Sequence, residues 1–189
     1  MKILYLKTED PAISHLNYND FLHDTLLIGL RNNFGDSVVD YPGAWYMYPK
    51  ERKKRINDST EKIWGNLFTL YDSLQNYDLI DRDDIKKKIE QNFFNLIIYG
   101  SLRGKNLFLE EAIKSKSKIV FIDTSDDGFI DKSKTDKGIY FKRELYSTEK
   151  NVYPIHFAIP KKKNYFINKF ESRKYSKSFS ARKNGNLYI

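Results

Sequence analysis

Cysteine is absent from the 189 residues, and this absence removes several kinds of chemistry at once. Without a thiol the chain has no disulfide, no thiolate zinc site and no cysteine nucleophile. Long apolar runs are also missing, because the opening MKILYLKTED is too short for the apolar part of a signal peptide and FFNLIIYG is too short to span a bilayer. These absences predict a soluble, cytoplasmic protein without a transmembrane segment.

Acidic residues are scarce in one part of the chain only. Residues 161–189 contain nine Lys or Arg and a single acid, whereas residues 1–160 contain 24 basic and 24 acidic residues, so the net charge of +8 comes from the C-terminal end. The sequence therefore predicts a neutral domain over 1–160. Residues 161–189 are either a basic, aromatic tail or the start of a missing second domain.

Short apolar runs alternate with helical patterns along residues 1–160. In NDFLHDTLLIGLRNNFG, Leu residues repeat at helical spacing between a capping Asp20 and a terminating Gly35, and further helices are predicted after Asp83 and in NLFLEEAIKSK. STEKIWGNLFTLYDSL also has apolar residues at helical spacing, although Gly65 weakens the pattern. Residues 43–58 lack periodicity and are interpreted as a connection. The predicted strands are KILYLK, SVVDYP, NLIIYGS, KIVFIDTSDD, GIYFK and YPIHFAIP. The alternation predicts an α/β fold, a Rossmann-like three-layer sandwich with a mostly parallel sheet.

The carboxyl ends of the predicted strands are where a ligand is expected. In an open parallel sheet these ends surround the binding crevice, which nominates Lys7 to Asp10, Gly100 to Lys105, Asp123 to Asp127, Lys142 to Glu144, and His156. Glu144 is expected to pair with one of the two cations before it. No metal and no cofactor are predicted. The candidate catalytic residues are Glu9 and Asp123, and the candidate anion-binding or substrate-binding residues are Gly100, Ser101, Arg103, Lys142, Arg143 and His156.

Each of these motifs also has a purely structural interpretation. YGSLRGKN places two glycines and a cation between a strand and a helix, as an anion site would, but an ordinary tight turn has the same composition. IDTSDDGF could contact a sugar, a ribose hydroxyl or a hard cation, and is equally typical of a solvated acidic turn. His156 is more often a structural histidine than a base.

Missing residues exclude one function and disfavour another. Glu9, Asp10, Thr124 and Lys142 resemble four residues of a receiver-like phosphorelay domain, but the third predicted strand ends in Tyr99-Gly100-Ser101 and lacks the phosphoacceptor Asp. Phosphotransfer is thereby excluded, although the sheet topology is not. The absence of Gly-x-Ser-x-Gly, together with only three histidines, disfavours a nucleophilic hydrolase.

A non-catalytic interaction module is the second hypothesis. KERKKR follows Trp45, Tyr46 and Tyr48, and residues 161–189 interleave aromatic side chains with cations, which is the composition used to stack bases and contact phosphates. Such a module would bind nucleic acid or an acidic partner through its tail. Charge runs are more commonly solvated surfaces, so this function ranks below an enzymatic one.

Residues 1–160 resemble a known enzyme family. The segments that carry the resemblance are HDTLLIGLRNNFGDSVVDYP, NLIIYGS, GIYFKREL and YPIHFAIP. Together they are similar to the N-terminal, Rossmann-like half of bacterial GT-B type glycosyltransferases, including CgeB-like proteins. The resemblance implies a domain on the acceptor side of a cleft, with a nucleotide-sugar and a carbohydrate acceptor as ligands.

The same resemblance assigns roles to the candidate residues. Arg103, Lys142 and Arg143 would hold diphosphate or an anionic acceptor, and Glu9 or Asp123 would contact a hydroxyl or act as general base. Replacing Lys142 and Arg143 by Ala would then weaken anion binding without loss of the fold. Neither the family's Glu-x(7)-Glu donor motif nor a second α/β domain follows, so the chain is expected to be a fragment, a truncated product or half of a split enzyme that needs a donor-binding domain or partner chain.

Overall fold

The computed structural model describes residues 1–7, 21–59, 74–102, 104–156, 181–183 and 186–188. The capping position Asp20, the helical pattern in residues 60–73 and the predicted domain boundary at residue 160 lie outside these ranges. Most of the basic tail does so as well.

Six short strands form one all-parallel sheet, which confirms the α/β prediction. The strands are β1 (Ile3–Leu6), β2 (Val38–Tyr41), β3 (Leu96–Tyr99), β4 (Lys118–Asp123), β5 (Ile139–Lys142) and β6 (Val152–Pro154). The order across the sheet is β2-β1-β3-β4-β5-β6. The strand β6 begins one residue before the predicted segment YPIHFAIP and ends at Pro154.

The strand order reverses between β1 and β3. The chain first moves outward from β1 to β2, then returns to the other side of β1 and continues outward through β6. The order 2-1-3-4-5 is one of the two common doubly wound arrangements, and its switch point is the gap between β1 and β3. Leu6 is the register partner of Tyr99, and the Gly100 amide donates to the Leu6 carbonyl at 2.9 Å, which extends this pairing to the carboxyl edge.

The helices of the described residues are α1 (Phe21–Phe34), α2 (Pro49–Ser59), α3 (Ile85–Glu90), α4 (Leu109–Lys114) and α5 (Lys132–Thr135). The sequence predicted α1, α3 and α4 but neither α2 nor the single turn α5. Gly35 has a φ of +52° directly after the last helical residue of α1, as the predicted helix stop requires. Residues 43–58, predicted as a connection, contain the start of α2 at Pro49; the residues of this helix are almost all polar, so no apolar periodicity revealed it.

Both faces of the sheet are covered, as a three-layer sandwich requires. On one face Tyr5 packs with Leu27 of α1 and with the short 3-10 turn Trp45–Met47. On the other face Leu6 packs with Ile89 of α3 and Ala112 of α4. Successive side chains of a strand point to opposite faces of the sheet. Residues at alternate positions of a strand therefore pack into the same layer.

The C-terminal residues that the structure describes form a separate pair of strands. β7 (Ala181–Lys183) and β8 (Asn186–Tyr188) are antiparallel to each other. Among the helices of the described ranges, none has the length and apolar character needed to cross a bilayer.

Candidate functional site

The polar residues at the carboxyl edge divide between the two faces of the sheet. Lys7 follows β1 on the face of Tyr5, which is covered by α1. Asp123 and Lys142 come two residues after Phe121 and Tyr140 on their strands, so they lie on the same face as these two residues, which belong to the opposite layer. The sequence predicted that these strand ends would share one crevice, whereas the side chains form two separate groups.

The first group, called the Asp123 cluster, consists of Asp123, Ser125, Tyr140 and Lys142. Lys142 is the register partner of Asp123 on the neighbouring strand, and its Nζ lies 3.2 Å from Asp123 Oδ2 and 2.6 Å from Ser125 Oγ. Tyr140 Oη donates to the same carboxylate oxygen at 2.5 Å. The Ser125 amide and hydroxyl donate to Asp123 Oδ1 at 3.0 and 2.6 Å. Both carboxylate oxygens are therefore occupied within the protein.

This arrangement fixes the ionisation of Asp123. Burial opposes the charged form, but the hydrogen bonds from Ser125, Tyr140 and Lys142 outweigh it and hold the pKa of Asp123 below its usual value. Burial and the neighbouring carboxylate raise the pKa of Tyr140 above its usual value. A carboxylate that is stabilised in its charged form is a weak base, so Asp123 is better suited to holding Lys142 than to abstracting a proton.

Arg143 is also engaged in ion pairs within the protein. Its guanidinium contacts the carboxylate of Asp126, and its Nε lies 3.5 Å from Glu144 Oε1, as expected from the sequence. Lys142 has no exposed surface, and only a tenth of the Arg143 side chain is exposed. The two cations thus help to hold the β4 and β5 strand ends together.

The second group, called the switch-point cluster, consists of Lys7, His23, Asp24 and Tyr46. Asp24 Oδ1 accepts a hydrogen bond from Tyr46 Oη at 2.8 Å and lies 3.1 Å from His23 Nδ1. His23, Asp24 and Tyr46 are all buried. Lys7 Nζ lies over the Tyr46 ring, 4.4 Å from its centroid. A cation thus sits at the end of β1, above a buried and hydrogen-bonded network.

Burial lowers the pKa of Lys7 to about 8, although the negative charges of Asp24 and Asp40 act in the opposite direction. Across the described residues, Lys7 Nζ has no hydrogen-bonding or ion-pair partner, and the side chain keeps some exposure. Burial therefore makes this amine easier to deprotonate than that of a surface lysine.

Gly100 allows the close approach between β3 and the switch-point cluster. A Cβ atom at this position would lie 2.4 Å from Tyr5 Oη and 2.6 Å from His23 Cδ2. Tyr5 Oη in turn donates to the His23 carbonyl at 2.8 Å, so the ring cannot turn away without losing that bond. The glycine predicted to contact an anion serves here to admit the Tyr5 and His23 side chains.

Replacing Gly100 by Ala should therefore destabilise the protein by about 1–3 kcal/mol, because the added methyl overpacks a filled interior. The measurement is urea denaturation followed by circular dichroism. Gly29→Ala is the matched control, since a Cβ at this α1 position meets nothing within 4 Å and should stabilise the helix by up to about 1 kcal/mol. Equal stability of Gly100→Ala and the unmodified protein would contradict the packing at this position.

The remaining candidates have different positions. Ser101 Oγ lies 3.4 Å from Thr124 Oγ1, and both residues are buried beside the switch point. His156 is exposed two residues after β6 ends. Glu9 and Arg103 lie outside the described residues. His23 and Asp24 were missed by sequence reasoning, although two adjacent polar residues inside an apolar helix stripe were a usable signal.

The clusters at the carboxyl edge contain no metal centre in the described ranges. Groups of three or more His, Asp or Glu that could hold a metal ion are absent from the residues the structure describes. A pocket of about 200 Å³ lies away from this edge, between α2 and the 3-10 turn Tyr77–Leu79, and is lined by Tyr48, Glu51 and Tyr77 among others.

No family model matches this sequence, and comparison with curated proteins and with solved structures likewise gave no match. The resemblance to glycosyltransferases therefore stays a prediction from the sequence. A function has to be argued from the chemistry of the carboxyl edge.

Proposed function

We propose that this chain is the acceptor-side domain of a sugar transferase, with its ligand site over the switch point between β1 and β3. The observation that carries the proposal is the all-parallel sheet whose order reverses at this point. Ligands of doubly wound sheets bind outside the carboxyl ends of the strands where the order reverses. Lys7 and Gly100 are the residues that follow β1 and β3 there.

The chemistry of the switch-point cluster suits a polar, oxygen-rich ligand. In its protonated form Lys7 can donate to phosphate or hydroxyl oxygens, and its lack of an acidic partner in the described ranges leaves this capacity available. The buried contacts of Asp24 with Tyr46 and His23 hold the base of the site rigid. Such preorganised groups are what group transfer requires of a binding domain.

The sequence-based roles change within this proposal. Lys142 and Arg143 stabilise the carboxyl edge through ion pairs with carboxylates, and Asp123 is the ion-pair partner of Lys142. Lys7 becomes the main cationic contact for ligand. The donor-binding groups would come from a second domain or a partner chain, which is why the isolated protein is expected to bind ligands without transferring sugar.

The test is calorimetric titration of the protein with nucleotide sugars and with candidate carbohydrate and anionic acceptors. We expect binding that Lys7→Ala weakens about 10- to 100-fold, the effect of losing a charged hydrogen bond worth about 1.5–3 kcal/mol. Lys2→Ala is the matched control, because Lys2 is exposed at the opposite, amino end of β1 and should not change the affinity. Absence of binding to every ligand of these classes, with no partner chain restoring transfer, would overturn the proposal.

A further inference from the structure

The pocket between α2 and the 3-10 turn Tyr77–Leu79 lies away from the carboxyl edge and has a chemistry of its own. Its volume of about 200 Å³ suits a small organic molecule, since drug-sized ligands occupy roughly 300–1,000 Å³. Leu74 and Tyr48, both buried, form an apolar part of the lining. The pocket therefore offers a surface against which a short apolar group can be buried.

The charges around this pocket are held together by one lysine. Among the described residues, the charged side chains that line the pocket are the acids Glu51 and Asp78 and the cation Lys50. Glu51 lies in the first turn of α2, and its side chain is only 8 % exposed. Lys54 Nζ lies 3.1 Å from Glu51 Oε2 and 3.5 Å from Asp78 Oδ2. A single ammonium thus bridges the helix and the 3-10 turn that form two walls of the pocket.

The position of the Lys54 ammonium marks a place where a cation is stabilised. The hydrogen bond with Glu51 and the negative charge of Asp78 raise the pKa of Lys54 above its usual value. Its side chain is 60 % exposed, and an exposed pair of this kind is weak because a long side chain must be held in one geometry. A ligand ammonium at the same place would leave the charge of the pocket unchanged. Unlike Lys54, the ligand would also bury an apolar group against Tyr48 and Leu74.

We propose that this pocket binds a small primary amine with a short apolar chain. The ligand ammonium replaces that of Lys54 between Glu51 and Asp78, and the chain packs against Tyr48 and Leu74. An anion of the same shape would be repelled by the two carboxylates, which gives the site its selectivity. This site is separate from the one over the switch point and does not depend on the proposed transferase function.

The experiment titrates the full chain with n-butylammonium at neutral pH and constant ionic strength, and follows the backbone amide signals by NMR. Butyrate and n-butanol serve as the anionic and neutral probes of similar length. We expect saturable binding of butylammonium, with the largest shifts at residues 48–51 and 74–79 that line the pocket. Butanol should bind more weakly and butyrate should not bind, because only the ammonium can pair with the carboxylates.

Two variants separate ligand binding from a structural role of the same residues. Lys54→Ala should strengthen butylammonium binding about 2- to 5-fold, the equivalent of releasing one exposed ion pair. Glu51→Gln should weaken it about 10-fold or more, the effect of losing a charged hydrogen bond. Lys53→Ala is the matched control, because it removes the same charge from an exposed neighbouring position of α2 and should change the affinity far less.

Lys54 is exposed, so the Lys54→Ala variant keeps the test decisive even if Glu51→Gln fails to fold. Tighter binding of butylammonium to Lys54→Ala than to Lys53→Ala, with shifts confined to the pocket, supports the proposal. Three results would each overturn it: no saturable binding to the unmodified protein or to Lys54→Ala, equal binding of butyrate, or an affinity that Lys54→Ala leaves unchanged.

Discussion

Replacing Lys142 by Ala is expected to lower the free energy of unfolding by about 3–5 kcal/mol, because it leaves a buried carboxylate without its cation. Lys142 has no exposed surface, and Asp123 is only 7 % exposed. The ion pair between them, at 3.2 Å, is accompanied by hydrogen bonds that Ser125 and Tyr140 donate to Asp123. Urea denaturation followed by circular dichroism measures the change.

A surface ion pair provides the control for this variant. Lys86 Nζ lies 2.9 Å from Glu111 Oε1, but the lysine side chain is 58 % exposed, so Lys86→Ala should lower the stability far less than Lys142→Ala does. Removing both buried charges in Lys142→Met with Asp123→Asn should recover much of the stability lost in the single variant. A loss for Lys142→Ala no larger than that for Lys86→Ala would contradict the buried pairing.

This expectation replaces the one derived from the sequence, in which Lys142 and Arg143 could be exchanged for Ala without loss of the fold. The sequence showed two cations at a strand end and acids after another strand, which was correct. It did not show that Asp123 and Lys142 are opposite each other in the β4 and β5 register. Register depends on how whole strands align, and no local pattern around Lys142 carries that information.

The elements that sequence analysis predicted share a strong local signal. The strands are short apolar runs, and α1 combines a leucine stripe with a glycine stop. The burial of apolar side chains is therefore enough to predict the strands and this helix. The α2 helix was missed because its sequence PKERKKRINDS has no apolar stripe to bury. Its proline at the first position was the available cue, since proline suits a helix start.

The sequence predicted that the candidate site would lie at the carboxyl edge of the sheet. It did not predict that the polar residues of this edge would be divided between the two faces of the sheet. A period of two along β4 and β5 places Asp123 and Lys142 on one face, and the same period along β1 places Lys7 with Tyr5. The order of the strands was also needed to recognise the division. Residues of different strands can be assigned to the same face only when the arrangement of the strands in the sheet is known. The importance of Lys7 therefore emerged from its lack of partners in the described ranges, a property of the folded protein.

Asp40 was not singled out in the sequence, although it interrupts the apolar run of β2. It is only 2 % exposed. Asp40 Oδ1 accepts hydrogen bonds from Arg82 Nη2 at 2.7 Å and Tyr48 Oη at 3.0 Å, and Oδ2 accepts from the Ala44 amide at 2.8 Å. One carboxylate therefore ties the end of β2 to the turn before α2 and to the segment that precedes α3.

Replacing Asp40 by Ala should accordingly cost about 3–5 kcal/mol of unfolding free energy, because in a buried region the Arg82 guanidinium loses its carboxylate partner and the Ala44 amide loses its acceptor. Asp40→Asn should cost less, since it keeps the shape and one acceptor oxygen. The control is Asp81→Asn, which removes a carboxylate that is 68 % exposed and paired with Lys88, and should lower the stability far less than Asp40→Ala does. Thermal and urea denaturation of the three variants give the comparison, and equal losses for Asp40→Ala and Asp81→Asn would refute this role. Because the charge of Asp40 raises the pKa of Lys7, Asp40→Asn should also lower that pKa further.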